Sequence, residues 1–343
     1  MTVNPQVRSP RQGPDHRLSI VIPLYNEEHG LDQLFGRLLE VLDGLDLAPE
    51  VICVDDGSLD GTAAACQRRA TQDKRIKVVR LSRNFGHQAA ISAGLDFAAG
   101  DAVVIMDGDL QDPPETIPHL LAEWRAGADV VYATRKTRPE AWPKRFAYWL
   151  FYRAIGRLAD VQVPPDSGDF GLMDARVVHM LRQMPERNRF LRGLRSWVGL
   201  RQTSVPVDRG TRAAGDSKYT FAKLKGLAMD GLISFSYAPL KLATRTGFVV
   251  SAGSFLFAAA VIALRLWWSI AVPGWASLVV VVLFLGGIQL ITIGILGEYV
   301  GRIYDEVKRR PLYIVAETTN IDVRTSATRS GDSTGAERVE RRL

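Results

Sequence analysis

The chain has 343 residues, 47% of them hydrophobic, and a formal net charge of +6. That length holds one full α/β domain with an appendage and excludes two large domains. The basic balance fits nucleic acid, anionic lipid or phosphate partners, but no nucleic-acid module is recognisable and many basic residues flank apolar segments, so membrane lipid and phosphate are expected and nucleic acid is not.

The first 17 residues are polar, rich in Pro and Arg, and lack the apolar core of a signal peptide, so they read as a disordered leader. Residues 18–24 form a short apolar run rich in β-branched side chains, the pattern of a strand. A polar turn follows, Tyr25-Asn26-Glu27-Glu28, and then a helix over residues 31–42 with Leu31, Leu34, Leu38, Val41 and Leu42 on one side. Residues 51–54 are a second strand, ending at Asp55-Asp56-Gly57-Ser58, with a helix beginning near Thr62. The only two cysteines, Cys53 and Cys66, fall in that strand and helix. They give neither a disulfide framework nor metal-ligand spacing, which fits a reducing cytosol.

Residues 76–81 predict a third strand, 88–99 a helix, 102–106 a fourth strand ending at Asp107-Gly108-Asp109, and 130–133 a fifth. Such alternation predicts a mainly parallel sheet with helices on both faces. In open α/β sheets ligands bind beyond the carboxyl ends of strands, and three polar clusters fall at such ends: residues 25–28, 55–58 and 107–112. No G-x-G-x-x-G follows the first strand and no G-x-x-x-x-G-K-[ST] occurs, which argues against a dinucleotide-dependent oxidoreductase and a P-loop NTPase.

Further along, residues 221–240 mix Lys223, Lys225 and Asp230 with Leu, Ile, Met and Phe, as in an amphipathic helix lying in a membrane interface. Residues 246–264 and 276–295 are each about long enough to cross a hydrocarbon core, which takes roughly 20 apolar residues. Pro273-Gly274 turns between them, with Trp267, Trp268 and Trp275 nearby. Lys241 and Arg245 before the first span, and Arg302, Lys308, Arg309 and Arg310 after the second, place both ends in the cytoplasm. From Thr318 the chain is rich in Ser, Thr, Arg and Glu and reads as a disordered tail.

Asp107-Gly108-Asp109-Leu110-Gln111-Asp112 places carboxylates and an amide oxygen at alternate positions after a strand, where they can converge on a hard cation carried with a diphosphate. Gly108 lets the backbone approach a ligand closely. The bland alternative is a solvated acidic turn. Asp60 or Ser58 can serve as a helix cap, whereas the adjacent Asp55 and Asp56 leave one carboxylate available to a nucleotide base.

Ile22-Pro23-Leu24-Tyr25-Asn26-Glu27, Val54-Asp55-Asp56-Gly57-Ser58-Leu59-Asp60-Gly61-Thr62 and Met106-Asp107-Gly108-Asp109-Leu110-Gln111-Asp112-Pro113-Pro114-Glu115 occur in that order. Together they resemble the GT-A, family-2 glycosyltransferases of the polyprenyl-phosphate branch, over residues 18–315. The two-span hairpin and Leu296-Gly297-Glu298-Tyr299-Val300-Gly301-Arg302 bring the chain nearest to the bactoprenol glucosyltransferases.

The resemblance implies a GT-A, Rossmann-like catalytic domain over 18–220, juxtamembrane helices over 221–245 and two transmembrane helices over 246–297. A cytoplasmic segment over 298–317 and the tail over 318–343 complete it. It implies that Pro23, Tyr25, Glu27, Cys53 and Asp55 contact the donor nucleotide, and that Asp107, Gly108 and Asp109 lie against the diphosphate. Asp107, Asp109 and Gln111 would surround Mg²⁺ or Mn²⁺. Arg135, Arg212 and Lys218 would meet the phosphates, the last two from a Gly-containing loop suited to a lid.

Asp109 and Asp169 are the catalytic candidates. In the family Asp169 is placed as a base near the acceptor. A phosphate monoester has a second pKa near 6, so little proton abstraction is needed and Asp169 can instead orient the acceptor. The expected reaction is inverting transfer of glucose from UDP-glucose to undecaprenyl phosphate at the cytoplasmic face of the inner membrane, by a homo-oligomer, a tetramer by resemblance. Alternatives are another nucleotide sugar of mannose or aminoarabinose type, or a non-catalytic nucleotide-sugar-binding module. Arg192, Arg195 and Trp197 stand where processive relatives carry Q-x-x-R-W, a motif this chain lacks, which argues against a polysaccharide synthase.

Overall fold

The computed structural model describes residues 16–135, 167–187, 189–207, 238–268 and 274–321. Arg212, Lys218, most of the expected amphipathic segment and the turn at residues 269–273 lie outside them. The chain divides into two compact units, one formed by residues 1–145, 162–218 and 311–343, the other by residues 146–161 and 219–310.

The first unit is built on a sheet whose opening strands follow the predicted order. They are β1 (Arg17–Leu24), β2 (Ala48–Asp55), β3 (Ile76–Leu81), β4 (Ala102–Ile105) and β5 (Val130–Arg135). Helices α1 (Leu31–Asp43), α2 (Thr62–Gln72), α3 (His87–Phe97) and α4 (Ile117–Arg125) connect them. Three more strands complete the sheet: β6 (Ser167–Asp174), β7 (Gln202–Val207) and β8 (Val315–Thr319). Two helices, α5 (Ala175–Gln183) and α6 (Leu191–Trp197), lie between β6 and β7.

The strand order is β7-β5-β6-β4-β1-β2-β3-β8. The pairs β1–β2, β1–β4, β2–β3 and β5–β7 are parallel; β4–β6, β5–β6 and β3–β8 are antiparallel. The sheet is thus mixed, with a parallel centre, as the sequence predicts for that centre.

The two faces of β1 explain the packing. Leu18, Ile20, Ile22 and Leu24 are buried with Leu31, Leu34, Phe35, Leu38 and Leu42 of α1 in one core. These helix positions recur at 3.6-residue spacing, so one stripe of α1 faces the sheet. Val21 points the other way, toward α3. A Cβ on Gly94 would fall 2.2 Å from Val21 Cγ1, so the small residues of α3 let its axis lie close on the sheet.

Residues 318–320 correct the expected tail boundary. Thr318 and Thr319 belong to β8, whose register pairs Val78 with Thr319 and Leu81 with Val315. Asn320 Nδ2 then donates to the carbonyls of Ala70 and Ile76, at 2.6 and 2.8 Å. A five-residue strand with polar side chains carries no periodic signal; its order comes from pairing with an edge distant in sequence.

The second unit contains α7 (Ala238–Trp268) and α8 (Trp275–Val307), which contact each other. Both helices outrun the predicted spans. Phe248, Phe255, Leu256, Leu290 and Ile291 are among their exposed apolar side chains. Among the described residues one segment, Phe284–Val307, is long and apolar enough to cross a membrane.

Candidate active site

Strands β4, β1 and β2 are adjacent and parallel, so their carboxyl ends open onto one edge. The chain turns one way from β1 to reach β2 and the other way to reach β4, the switch point at which such sheets bind ligands. All three predicted polar clusters meet there.

The first two clusters are stitched together. Asn26 N donates to Ser58 Oγ at 3.0 Å, and Leu59 N returns a bond to Asn26 Oδ1 at 2.9 Å. Glu27 N donates to Thr62 Oγ1, and Gly61 N to Glu28 Oε2, each at 2.9 Å. The turn residues therefore hold each other rather than only capping α2. Tyr25 is 42% exposed at this edge.

The two adjacent aspartates have different tasks. Asp56 accepts from Phe85 N at 2.7 Å and Gly86 N at 2.9 Å, fixing the loop that leads into α3. Asp55 is fully buried; its Oδ1 accepts from Ser58 N at 3.0 Å, and its Oδ2 lies 3.5 Å from Arg80 Nε without a hydrogen bond. Asp55 thus keeps one carboxylate oxygen without a hydrogen bond, next to the Arg80 guanidinium.

Beyond β4, Gly108 lies close against β1: a Cβ there would sit 2.4 Å from Leu24 Cδ2 and push that side-chain end aside. Leu110 adopts a left-handed φ of 59°. For a non-glycine residue that costs roughly 1–2 kcal/mol, and such strain collects at ligand sites. Gln111 enters through its backbone, donating to Asp109 Oδ1 at 3.1 Å.

Asp107 Oδ1 is buried with no hydrogen bond. Its pKa is pushed up to about 6, first by burial and then by the neighbouring carboxylates of Asp112, Asp169 and Asp109, with His87 working against the shift. Among the described residues no three His, Cys, Asp or Glu side chains already form a metal-holding group. The donor set nevertheless fits a hard cation: crowded carboxylate oxygens, one lacking any hydrogen bond, need positive charge, and diphosphate and water can complete the shell.

In β6 the antiparallel register pairs Ala102 with Asp174 and Ile105 with Gly171. Continued two residues, it brings Asp169 level with Asp107. Asp169 is nearly buried and crowded with donors: Arg192 Nε at 2.8 Å from Oδ1, and Arg192 Nη2 at 3.1 Å and Gln88 Nε2 at 3.3 Å from Oδ2. His87 Nε2 lies 3.4 Å from the same Oδ2 and 3.6 Å from Asp107 Oδ1. Burial opposes the charge of Asp169, but His87 and Arg192 outweigh it and hold the carboxyl well below the usual range. Burial likewise opposes the charge of His87, and Asp169 and Asp107 outweigh it, raising its pKa.

Arg195 is buried against the Tyr132 ring, 4.4 Å from its centroid, and donates to the carbonyls of Gly168 and Asp169. It supports the β6 backbone, whereas Arg192 one turn earlier reaches the carboxylate.

Tyr25, Glu27, Asp55, Asp107, Gly108, Asp109, Gln111 and Asp169 therefore lie at or beside one sheet edge. The Cys53 side chain is fully buried and turned to Cys66 inside the core, as the inward half of a strand's alternation requires, so the expected donor contact there would fall to its backbone. Pro23 is likewise buried within β1. Arg135 ends β5.

Sequence reasoning missed His87, Gln88 and the reach of Arg192. The available signal was Gly86, with φ 101°, opening a helix just after a strand. Nothing in the spacing links that helix start to Asp169, more than eighty positions on.

A family model described as Glycosyl transferase family 2 matches residues 19–181. An uncharacterised glycosyltransferase from Synechocystis is 50% identical over 89% of this chain and 96% of its own length. A prophage bactoprenol glucosyl transferase homolog from Escherichia coli is 41% identical over 87% of this chain and 98% of its own. A bactoprenol glucosyl transferase from Shigella phage SfII is 41% identical over 88% and 98%.

Proposed function

This chain belongs to glycosyl transferase family 2, a glycosyltransferase with a GT-A fold, and on that premise we propose that it moves glucose from UDP-glucose to a polyprenyl phosphate at the cytoplasmic face of a membrane. The observation that carries the reading is the junction of the Asp107–Asp112 edge with the Asp169–Arg192–His87 group. An acidic rim suited to a metal-bound diphosphate meets an arginine and an imidazole suited to a second phosphate. Bactoprenol in the names of relatives matched over nearly their whole length supports a lipid acceptor. The exposed apolar surface of α7 and α8 and the long apolar segment Phe284–Val307 support a membrane home; the second span of this reading is α7, on the apolar run of residues 246–264.

In this reading Asp55 accepts a base N–H and Tyr25 lies against the nucleoside. Asp107 and Asp109, with the Gln111 segment, would hold Mg²⁺ or Mn²⁺, which when bound neutralises charge on the departing diphosphate. Arg135, Arg212 and Lys218 add charge to the phosphates. A phosphate oxygen of the lipid attacks the anomeric carbon in line, so an α-linked donor gives a β-linked product. Asp169 is a positioning residue rather than the base: a carboxylate saturated with donors and held ionised has little proton affinity. The acceptor brings an oxygen largely deprotonated at neutral pH.

The test is incubation of the full chain in detergent with several nucleotide sugars and undecaprenyl phosphate, weighing the lipid and reading its anomeric configuration by NMR. A β-linked hexosyl lipid phosphate formed best from UDP-glucose is expected, lost in Asp109→Asn and in excess EDTA. Undiminished turnover in EDTA would remove the metal, and absence of any sugar–lipid phosphate would remove the acceptor.

A further inference from the structure

We propose that Arg192 and His87 form the receptor for the acceptor's phosphate, with Asp169 behind them as their positioning residue. This rests on transfer to a lipid phosphate, as proposed above.

Three observations lead here. The first is layering. Asp169 is 6% exposed, whereas Arg192 is 35% and His87 45% exposed, so the carboxylate is covered and the two donors reach solvent in front of it. A buried carboxylate that orients half-exposed hydrogen-bond donors fixes their direction at little further entropic cost.

The second is placement. The β4–β6 register sets Asp169 level with Asp107, and His87 Nε2 lies within 3.6 Å of a carboxylate oxygen of each. A phosphate on Arg192 and His87 would thus lie beside the diphosphate edge, where an attacking oxygen must stand to reach the sugar. The amino end of α3, which begins at His87, adds the positive end of its dipole on the same side.

The third is charge. Asp107, Asp109, Asp112 and Asp169 repel an approaching dianion. Arg192 brings a permanent positive charge to this edge; its Nε and Nη2 fork onto Asp169, which fixes the plane in which the guanidinium meets phosphate oxygens. Gln88 ties the parts together, donating to Asp169 and accepting from Leu191 N at 3.0 Å, which anchors the start of α6 beside Arg192.

The probe is methyl phosphate, a soluble phosphate monoester, titrated into full-length protein saturated with UDP and Mg²⁺. Arg192→Gln should weaken its binding about tenfold or more, the scale of a lost charge-assisted contact, and leave UDP affinity within about twofold. Arg192→Lys keeps the charge without the fork, so it should fold and bind between the two; a thermal melt of each variant checks the fold. His87→Asn should weaken methyl phosphate by a smaller factor. In transfer assays Arg192→Lys should raise the KM for polyprenyl phosphate more than that for the nucleotide sugar.

Methyl phosphate bound equally by a folded Arg192 variant and wild type, or UDP weakened to the same degree, would overturn the receptor. So would failure of the wild type to bind methyl phosphate, whichever way the transfer assay reads. If the wild type binds methyl phosphate through Arg192 but glycosylates no polyprenyl phosphate, the receptor stands and the lipid acceptor falls.

Discussion

Asp55 and Asp56 are neighbours in the chain with opposite surroundings. Asp56 spends both oxygens on the backbone of Phe85 and Gly86, so Asp56→Ala should cost about 2–3 kcal/mol of stability. It should also loosen the start of α3, where His87 and Gln88 sit. Asp55→Asn should instead leave the melting temperature close to wild type and weaken UDP binding; calorimetry with both variants separates the two effects. Asp107 has a different signature. Its native pKa, about 6, lies above the ordinary carboxylate value, so its ionisation is disfavoured in the fold. The stability it contributes is present below about pH 4 and is lost as pH rises through 6. Metal-free Asp107→Asn should therefore melt above wild type at pH 7 and lose that advantage by pH 4. Proton competition should make divalent-cation affinity of the wild type rise from pH 5 to 7 and then level off. A cation affinity flat across that range would detach Asp107 from the metal.

At the scale of elements, the turn after β2 has no room for a side chain. Gly57 has φ 66°, and a Cβ there would lie 2.5 Å from the backbone carbon of Arg83. Backbone cannot swing aside as a side-chain tip can, so Gly57→Ala should destabilise by about 2–3 kcal/mol in urea unfolding. Gly108→Ala meets only Leu24 Cδ2, the end of a side chain, and should cost less stability than Gly57→Ala. Its effect should show instead in donor binding, because a displaced Leu24 moves the start of the Tyr25 turn. Equal losses of stability in the two variants would contradict this reading of the close approaches.

At the scale of the molecule, the chain leaves the sheet unit before α7 and returns to it after α8, where β8 pairs with β3. Tyr313 Oη donates to Asp96 Oδ2 at 2.6 Å and Ser82 N to the Ile314 carbonyl at 2.9 Å, so the returning segment is bonded into that unit. If both helices span the membrane, their outer ends must lie on one side. A cysteine at Ser269 should then react with impermeant reagent from outside intact cells and one at Ser217 should not; the reverse pattern would overturn the orientation. Truncation after Arg310 should expose the β3 edge and lower the melting temperature of the sheet unit.

The sequence by itself determined the parallel centre, the three polar strand ends and the two apolar runs at residues 246–264 and 276–295. These are written in local periodicity and in turn residues placed next to strands, so neighbours in the chain suffice to read them. Topology then brought the strand-end clusters, those of Asp55 and Asp107 included, to one end of the sheet. Only the tertiary structure decided that Asp56 serves a loop, that Cys53 turns inward and that Asp169 is saturated with donors. It also placed β6 antiparallel beside β4 and brought β8 back to the sheet. Each of these depends on contacts between segments far apart in the chain, and a hydrogen bond or a burial at such a distance leaves no period in the sequence for a local reading to find.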